Sequence, residues 1–468
     1  MDNNNRAQWS SKLGFILAAA GSAVGLGNIW KFPGKAYENG GGAFLIIYLA
    51  IVLIIGVPVM ISELSLGRNA QANTIGIFRK LNKKFTWVGY VGVAVAFIIT
   101  SYYLHVGGWV LRYVVGYITE SATIYGDPKG YFFDLLGLNA ATGATYFPWA
   151  AIIFTAVFAL ANVVIVVKGV SGGIEKFNKV GMPALFVLLI ILLIRSVTLP
   201  GAAEGVKYML IPDFSKVNGM TFIVALGQAF FSLSLGMAIM TTYGSYLPKS
   251  ENIAKNTLVI CGMDTLVALT AGFIIVPAVF ATLGAEGIGK GATFAFTSLA
   301  GVFQQMPAGW FFAILFYLLL LFAALTSSMS LIEGVVAFFT EQFGWQRKKT
   351  TIGVVIAMFL VGILFTASQA AYPIKGIWFD FVNGITFPTF GDFMEFLTDR
   401  LMIPLCALGV SIFVGWLWKP EKAIDEVRQG GKFAFKLANA YAILIKYVVP
   451  VAIAVIIITS FVTGTTIS

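Results

Sequence analysis

Two short stretches place glycine and oxygen-bearing side chains inside otherwise apolar sequence. Residues 21–28 contain three glycines and end in Asn28, and residues 228–236 include Ser232 and Ser234. Glycine weakens a helix, and backbone carbonyls freed by a break are good ligands for a hard cation such as Na⁺. The N-terminus of a half-helix favours an anionic carboxylate. Close helix packing is the alternative role for the small residues of the first stretch.

Three acidic residues lie within apolar runs, namely Glu63, Asp264 and Glu333. A carboxylate is costly at membrane depth, so each is a candidate site residue. Glu63 and Glu333 could instead accept hydrogen bonds from backbone amides freed by helix breaks, and we favour this structural role. For Asp264 the residues alone leave two roles open, a functional ligand or a helix-end residue wetted by the cytoplasm.

The surrounding composition indicates a lipid bilayer as the solvent. The 468 residues are 58% hydrophobic and 11% charged, with a mean hydropathy of +0.87, whereas a soluble domain has roughly a quarter charged residues. Apolar runs long enough to span a bilayer as helices are predicted, as spans 1 to 11, at 13–37, 43–67, 88–118, 148–168, 174–197, 221–247, 256–283, 309–339, 350–368, 388–418 and 434–463. Runs of this length exclude a transmembrane β-barrel. The predicted fold class is an all-α polytopic membrane protein of about eleven transmembrane helices.

The loop charges predict the orientation of the chain. The net charge of +10 comes from Lys and Arg clustered in short loops, such as residues 79–84 and 347–349. This pattern follows the positive-inside rule and does not indicate nucleic-acid binding. It predicts a cytoplasmic N-terminus and, with eleven spans, a C-terminus outside. The first apolar run is interpreted as a membrane helix and not as a signal peptide.

The two interrupted stretches fall in the first and sixth predicted spans. Breaks at corresponding places are typical of transporters built from two inverted five-helix repeats with the substrate site between them. The repeats are predicted at about 9–198 and 219–418, with an eleventh helix at about 434–463, all within a single transporter domain (1–468). The pattern therefore predicts an ion-coupled transporter for a carboxylated solute.

Three motifs resemble those of the neurotransmitter:sodium symporter family, in its bacterial amino-acid transporter branch. Residues 21–33 (GSAVGLGNIWKFP) resemble the first-helix signature, 227–236 (GQAFFSLSLG) the sixth-helix motif and 323–328 (AALTSS) the eighth-helix motif. The resemblance runs in order through nearly the whole chain. It implies a sodium-coupled symporter of neutral, apolar L-amino acids, working by alternating access in the inner cell membrane.

By position, the resemblance also implies two sodium sites and one substrate site. The first sodium site would use Ala23, Asn28, Ser232, Asp264 and the substrate carboxylate itself. The second would use Gly21, Val24, Ala323, Thr326 and Ser327. The substrate would contact Ser22, Ala23, Leu26, Gly27, Ile99, Tyr103, Phe231, Ser232, Ser234, Met237, Ser328 and Leu331. Tyr103 and Phe231 would form the lid, and the side-chain pocket would carry no charge.

Two gates are implied in the same way. The outer gate would be Lys31 with Glu395, where Lys replaces the commoner Arg of the family and loses its bidentate geometry. The inner gate would be Arg6 with Glu341, supported by Trp9, Ser245 and Tyr246. Exposed ion pairs are usually worth little, so an ordinary surface pair is the alternative.

The resemblance further implies that chloride is not required. Ala268 stands where the family has its chloride-site serine, and Asp264 supplies a fixed negative charge beside the first sodium site. Chloride independence is therefore expected.

Other protein classes fit the sequence less well. A sensor that keeps the site and signals to a partner would usually carry a large cytoplasmic extension, and a channel would show a repeated pore sequence. An enzyme would show a nucleophile–base pair, a metal cluster or a nucleotide motif. A sensor without net transport is the retained alternative, and the preferred amino acid, ion stoichiometry, any counter-transport and the oligomeric state stay open.

Overall fold

The computed structural model describes residues 7–287, 294–370, 387 and 389–462. Within these ranges nine single helices are long and apolar enough to cross a membrane. They are Gly42–Ala70 (span 2), Lys83–Thr119 (span 3), Trp149–Val166 (span 4), Val170–Val197 (span 5), Ile253–Thr282 (span 7), Gly309–Phe343 (span 8), Arg347–Gln369 (span 9), Phe390–Leu417 (span 10) and Ala438–Thr459 (span 11).

Spans 1 and 6 are each broken into two helices. Span 1 consists of Lys12–Ala23 and Gly27–Glu38, which are bent by 51° at the break. Span 6 consists of Gly219–Ser232 and Ile239–Ser245. Between its halves Ser234 has a φ of 55°, a value that residues other than glycine rarely adopt. The prediction of an all-α fold of about eleven spans, with breaks in the first and sixth, is confirmed.

Shorter helices cover the two faces of the bundle. We call the face at which span 1 begins the amino-terminal face, and the other the opposite face. Thr74–Leu81 and Pro420–Arg428 lie at the amino-terminal face, and Ser121–Gly126, Pro128–Leu135, Ala202–Leu210 and Leu299–Gln305 lie at the opposite face. The limits of the two inverted repeats stay a prediction.

The backbones of span 2 and of the second half of span 6 are in direct contact. A Cβ added to Gly67 would lie 2.1 Å from the Thr241 carbonyl oxygen, and one added to Gly244 would lie 2.6 Å from the Leu64 carbonyl oxygen. Backbone atoms cannot move aside as the end of a flexible side chain can. The two glycines therefore fix where the short half of span 6 lies on span 2.

Gly67→Ala is expected to lower the melting temperature of the purified protein by several degrees, because overpacking of this kind costs about 1–3 kcal/mol. Gly262→Ala on span 7 is the matched control, since nothing lies within 4 Å of a Cβ at that position. Thermal unfolding in detergent measures both variants. Equal melting temperatures for the two would contradict the close packing at Gly67.

Candidate functional site

Three polar side chains from three spans meet beside the helix breaks. Asn28 Nδ2 donates to Asp264 Oδ1 at 2.7 Å and to Ser232 Oγ at 2.8 Å. The Ser232 hydroxyl lies 2.9 Å from each carboxylate oxygen of Asp264. All three side chains are buried, and these hydrogen-bond partners of the carboxylate are neutral. A buried anion is costly without a counter-charge, so the cluster is suited to a small hard cation.

The break in span 1 redirects two backbone amides. The Gly25 amide donates to Asn28 Oδ1 at 3.0 Å, and the Leu26 amide donates to the Tyr103 hydroxyl at 3.1 Å. In a continuous α-helix these amides would bond to the carbonyls four residues earlier. The Gly21 carbonyl therefore loses its helical donor and is available to another ligand.

Spans 1 and 8 meet at the residues predicted for the second sodium site. The Ser327 hydroxyl lies 3.1 Å from the Ser22 carbonyl oxygen and 3.3 Å from that of Val24. The Thr326 hydroxyl lies 3.0 Å from the Ala323 carbonyl oxygen of its own helix. Hydroxyls and carbonyls of two spans thus converge on one place, as a site for a hard cation requires.

A cavity of about 30 Å³ lies between the two breaks. Ten of the twelve residues predicted to contact the substrate line it. The exceptions are Leu26, whose amide bonds to Tyr103, and Ser328, whose hydroxyl donates to Asn162 Oδ1 of span 4 at 2.7 Å. The structure therefore brings the predicted set together except at Ser328, which faces span 4.

A larger cavity of about 240 Å³ lies toward the opposite face. Tyr103 and Phe231 line both cavities, so their side chains form the partition between them. The Lys31 ammonium lies 4.9 Å from the centroid of the Phe231 ring. The role of the two aromatic residues as a lid stays a prediction.

Lys31 faces two carboxylates of span 10. Its Nζ lies 3.8 Å from Glu395 and 3.5 Å from Asp399. Glu395 is the predicted partner; Asp399, which follows it by about one helical turn, is not among the predicted site residues. A lysine ammonium is a compact charge that can lie between two acids, so the predicted outer gate would have a second carboxylate in place of bidentate geometry.

At the amino-terminal face, span 5 holds the start of span 1. Glu175 accepts hydrogen bonds from the Ser10 amide at 2.8 Å, the Ser10 hydroxyl at 2.5 Å and the Ser11 hydroxyl at 2.8 Å. Its carboxylate is buried and lies 2.7 Å from Lys179 Nζ. Glu175 is not among the predicted site residues, although an acidic residue inside a predicted span is the signal that singled out Glu63 and Asp264.

Trp9 closes the same face against span 6. Its indole donates to the Tyr243 carbonyl at 3.1 Å, and its amide donates to the Tyr246 carbonyl at 3.3 Å. The Tyr246 hydroxyl donates to Glu333 at 2.9 Å, and Glu333 is paired with Arg347 of span 9. Glu333 thus belongs to an ion pair at this face and does not cap a broken helix.

Two other acidic residues of the sequence analysis, Glu63 and Glu341, accept hydrogen bonds from backbone amides. Glu63 accepts from the Gly236 amide within the break of span 6 at 2.8 Å, which is the structural role favoured for it. Glu341 accepts from the Asn73 amide at 2.7 Å, just before the helix Thr74–Leu81. Its predicted gate partner, Arg6, lies outside the described residues.

The sequence is similar to those of known proteins over nearly its whole length. The sequence matches the profile of the sodium:neurotransmitter symporter family over residues 6–124 and 131–467. YhdH of Bacillus subtilis, an uncharacterised sodium-dependent transporter, is 37% identical over 458 residues, which are 97% of this chain and 98% of YhdH. An uncharacterised sodium-dependent transporter of Haemophilus influenzae is 36% identical over 475 residues, covering 98% of this chain and 99% of the relative.

A solved structure has the same fold. The crystal structure of MhsT in complex with L-phenylalanine shares 36% sequence identity with this chain and superposes with a TM-score of 0.85. The match covers 98% of this chain and 100% of MhsT. The overall fold of this chain has therefore already been seen by crystallography.

Proposed function

Because the chain belongs to the sodium:neurotransmitter symporter family, we propose that it couples the entry of Na⁺ to the uptake of neutral, apolar L-amino acids. Family membership makes it a sodium-dependent, multi-pass membrane transporter and not an enzyme. One observation carries the finer proposal. The cavity between the broken spans lies beside a buried carboxylate, yet none of the described residues lining the cavity is charged.

The first sodium ion would couple directly to the amino acid. It would bind the Ala23 carbonyl, the side chains of Asn28, Ser232 and Asp264, and the substrate carboxylate. Sharing the substrate carboxylate makes each ligand raise the affinity of the other by the same factor. The second ion would bind carbonyls and hydroxyls of spans 1 and 8. None of these ligands belongs to the substrate.

The amino acid would fit across the two breaks. Its carboxylate would replace the contact between the Leu26 amide and the Tyr103 hydroxyl, and its amine would meet carbonyls such as that of Phe231. The apolar side chain would enter between Ile99 and Met237. The cavity of about 30 Å³ is far smaller than a pocket that holds a small-molecule ligand, so binding requires flexible side chains such as Met237 to move.

The amino-terminal face is proposed to be cytoplasmic and the C-terminus to lie outside, in the inner cell membrane. The larger cavity then opens outward, and the contacts of Trp9 and Glu175 close the cytoplasmic route. Transport by alternating access would exchange this arrangement for one open to the cytoplasm. Substrate and Na⁺ drive the exchange only through different affinities for the two states.

Chloride is proposed to be unnecessary for this cycle. Asp264 already places a negative charge where the cations bind, and it is fully buried. Ala268, one turn later, is also fully buried and has no polar side-chain atom with which to bind an anion. The fixed carboxylate would balance the charge that a chloride ion would otherwise supply.

A thermal-shift screen against the twenty amino acids, in Na⁺ and in K⁺ at equal ionic strength, tests the binding step. A ligand of the folded state raises the melting temperature. Uptake of the best ligand by proteoliposomes under a Na⁺ gradient then separates transport from sensing. Na⁺-dependent binding with gradient-driven uptake supports the symporter, binding without uptake supports the sensor, and no Na⁺-dependent ligand contradicts both.

The two carboxylates at Lys31 make a specific prediction for the outer gate. Glu395→Gln and Asp399→Asn are each expected to change the dissociation rate of bound amino acid by less than about threefold, because the other carboxylate remains. The double variant is expected to speed dissociation by about tenfold or more, so the two effects do not add. Release of radiolabelled ligand after dilution measures the rates.

The conservative substitutions keep the size of each side chain, so they remove charge without opening a cavity. The matched control is Glu204→Gln, which removes a carboxylate from an exposed pair with Lys207 at the same face. Additive effects of the two gate substitutions would show that the two acids act independently of each other and would contradict a shared role at Lys31.

A further inference from the structure

Asn178 places a buried amide oxygen beside the break in span 1. The residue lies on span 5 and is fully buried, and its Oδ1 has no hydrogen-bond partner among the described residues. A Cβ built on Gly21 would lie 2.1 Å from this oxygen, so Oδ1 is in contact with the Gly21 backbone. Leaving a buried acceptor unsatisfied costs about 1–3 kcal/mol. A ligand bound to Oδ1 would remove this cost.

The direction of the Asn178 amide is fixed by its nitrogen. Nδ2 donates to the Ile174 carbonyl at 2.9 Å and lies 3.8 Å from the Met329 sulfur of span 8. Exchanging the oxygen and the nitrogen would place two acceptors together at Ile174. The oxygen must therefore be the atom that faces Gly21.

The surroundings of Oδ1 indicate what it binds. Gly21, which it contacts, carries one of the carbonyls proposed for the second sodium ion, and that carbonyl has lost its helical donor. Met329, which the amide nitrogen approaches, follows Thr326 and Ser327 by a few residues on span 8. Asn178 thus lies between the two spans that would supply the second site, and amide oxygens are ligands that hard cations accept.

We propose that Asn178 is a further ligand of the second sodium site, binding the ion through Oδ1 either directly or through one water molecule. The inference rests on the proposed function and adds span 5 to the elements that hold the ion. A sodium ion bound in this way connects the half-helix Lys12–Ala23 to span 5. Occupancy of the site would then favour the arrangement in which the amino-terminal face is closed.

The test uses Na⁺ alone, since the second site needs no amino acid. The melting temperature is measured as K⁺ is replaced by Na⁺ at constant ionic strength, which gives a half-saturating Na⁺ concentration. Asn178→Leu and Asn178→Ala are expected to raise this concentration by about tenfold, because an interaction with a charged group is lost. Amino-acid affinity at saturating Na⁺ should stay within about threefold of wild type, because the substrate does not touch Asn178.

Asn256→Leu is the matched control. Asn256 is also fully buried and also has an Oδ1 with no partner among the described residues. However, it lies near the start of span 7, where its Nδ2 donates to Glu251 at 3.1 Å. The control is expected to keep the wild-type half-saturating Na⁺ concentration, which separates loss of a ligand from loss of any buried amide.

Three outcomes of the Na⁺ titration distinguish a sodium ligand at Asn178 from a packing residue. A selective shift in the Asn178 variants supports the inference. Wild-type half-saturation in folded Asn178 variants overturns it and makes Asn178 a packing residue, and the alanine variant decides this if the bulkier leucine variant does not fold. A wild-type protein that neither responds to Na⁺ nor binds an amino acid overturns the proposed function, and with it this inference.

Discussion

Asp264→Asn is expected to lower amino-acid affinity by about a hundredfold or more in chloride-free medium containing Na⁺. The carboxylate is fully buried, and its hydrogen bonds come from the neutral side chains of Asn28 and Ser232. Apart from the substrate carboxylate, it is the one full negative charge among the proposed ligands of the first ion. Removing one partner of a buried charge pair costs about 3–5 kcal/mol, and each 1.4 kcal/mol is about tenfold in affinity.

The asparagine variant isolates the charge of Asp264 from its shape. An amide has nearly the same size as a carboxylate, and its oxygen can still accept from Asn28 Nδ2. Because Ala268 has no polar side-chain atom with which to bind an anion, chloride is not expected to restore the affinity of the variant. Wild-type affinity is expected to be the same in chloride and in gluconate, since the fixed carboxylate already balances the cation.

Equilibrium binding of radiolabelled amino acid in chloride and in gluconate measures both effects. Stabilisation by Na⁺ alone is the internal control, because the proposed second site does not use Asp264. A variant that keeps wild-type affinity in gluconate would show that Asp264 has only a structural role. Chloride dependence in the wild-type protein would contradict the chloride proposal separately.

The polar cluster at the breaks could be predicted because polar residues stand out in apolar sequence. Asn28 and Ser232 are 204 residues apart, yet each is an oxygen-bearing residue at membrane depth, where such residues are rare and functional. Glycines at both stretches predicted the breaks themselves. The assignment of individual ligands depends on the family resemblance and stays a prediction.

Side-chain direction around a helix could not be predicted in the same way. Ser327 and Ser328 are neighbours in sequence, but successive residues are rotated by about 100° around a helix. Ser327 therefore faces the break in span 1, whereas Ser328 bonds to Asn162 of span 4. Likewise, the sequence does not show that Asp399 faces Lys31, because this depends on how span 10 is rotated about its axis.

Glu175 shows how a span boundary can hide a functional residue. The predicted span 5 begins at residue 174, so Glu175 stands in its first turn beside Lys176 and Lys179. The structure begins this span at Val170, which places Glu175 more than one turn inside the helix. There its side chain is fully buried and reaches Ser10 and Ser11 at the start of span 1.

Glu175→Gln is expected to loosen the start of span 1 and to shift the transporter toward a state open at the amino-terminal face. The neutral amide loses the charge that strengthens the hydrogen bonds from Ser10 and Ser11, and hydrogen bonds to charged groups contribute about 1.5–3 kcal/mol. Amide hydrogen exchange across residues 7–23 is expected to be about tenfold faster or more, because opening precedes exchange. Mass spectrometry of peptides from this segment measures the rates.

Glu204→Gln is again the matched control, since Glu204 and Lys207 form an exposed pair at the opposite face. Unchanged exchange in Glu175→Gln would show that Trp9 and the Glu333–Arg347 pair hold the face without Glu175. Saturating Na⁺ is expected to slow the added exchange, because an ion at the second site would hold the same half-helix at Gly21. Faster exchange that Na⁺ does not reduce would mean that the contacts of Glu175 with Ser10 and Ser11 and the proposed second sodium site act independently.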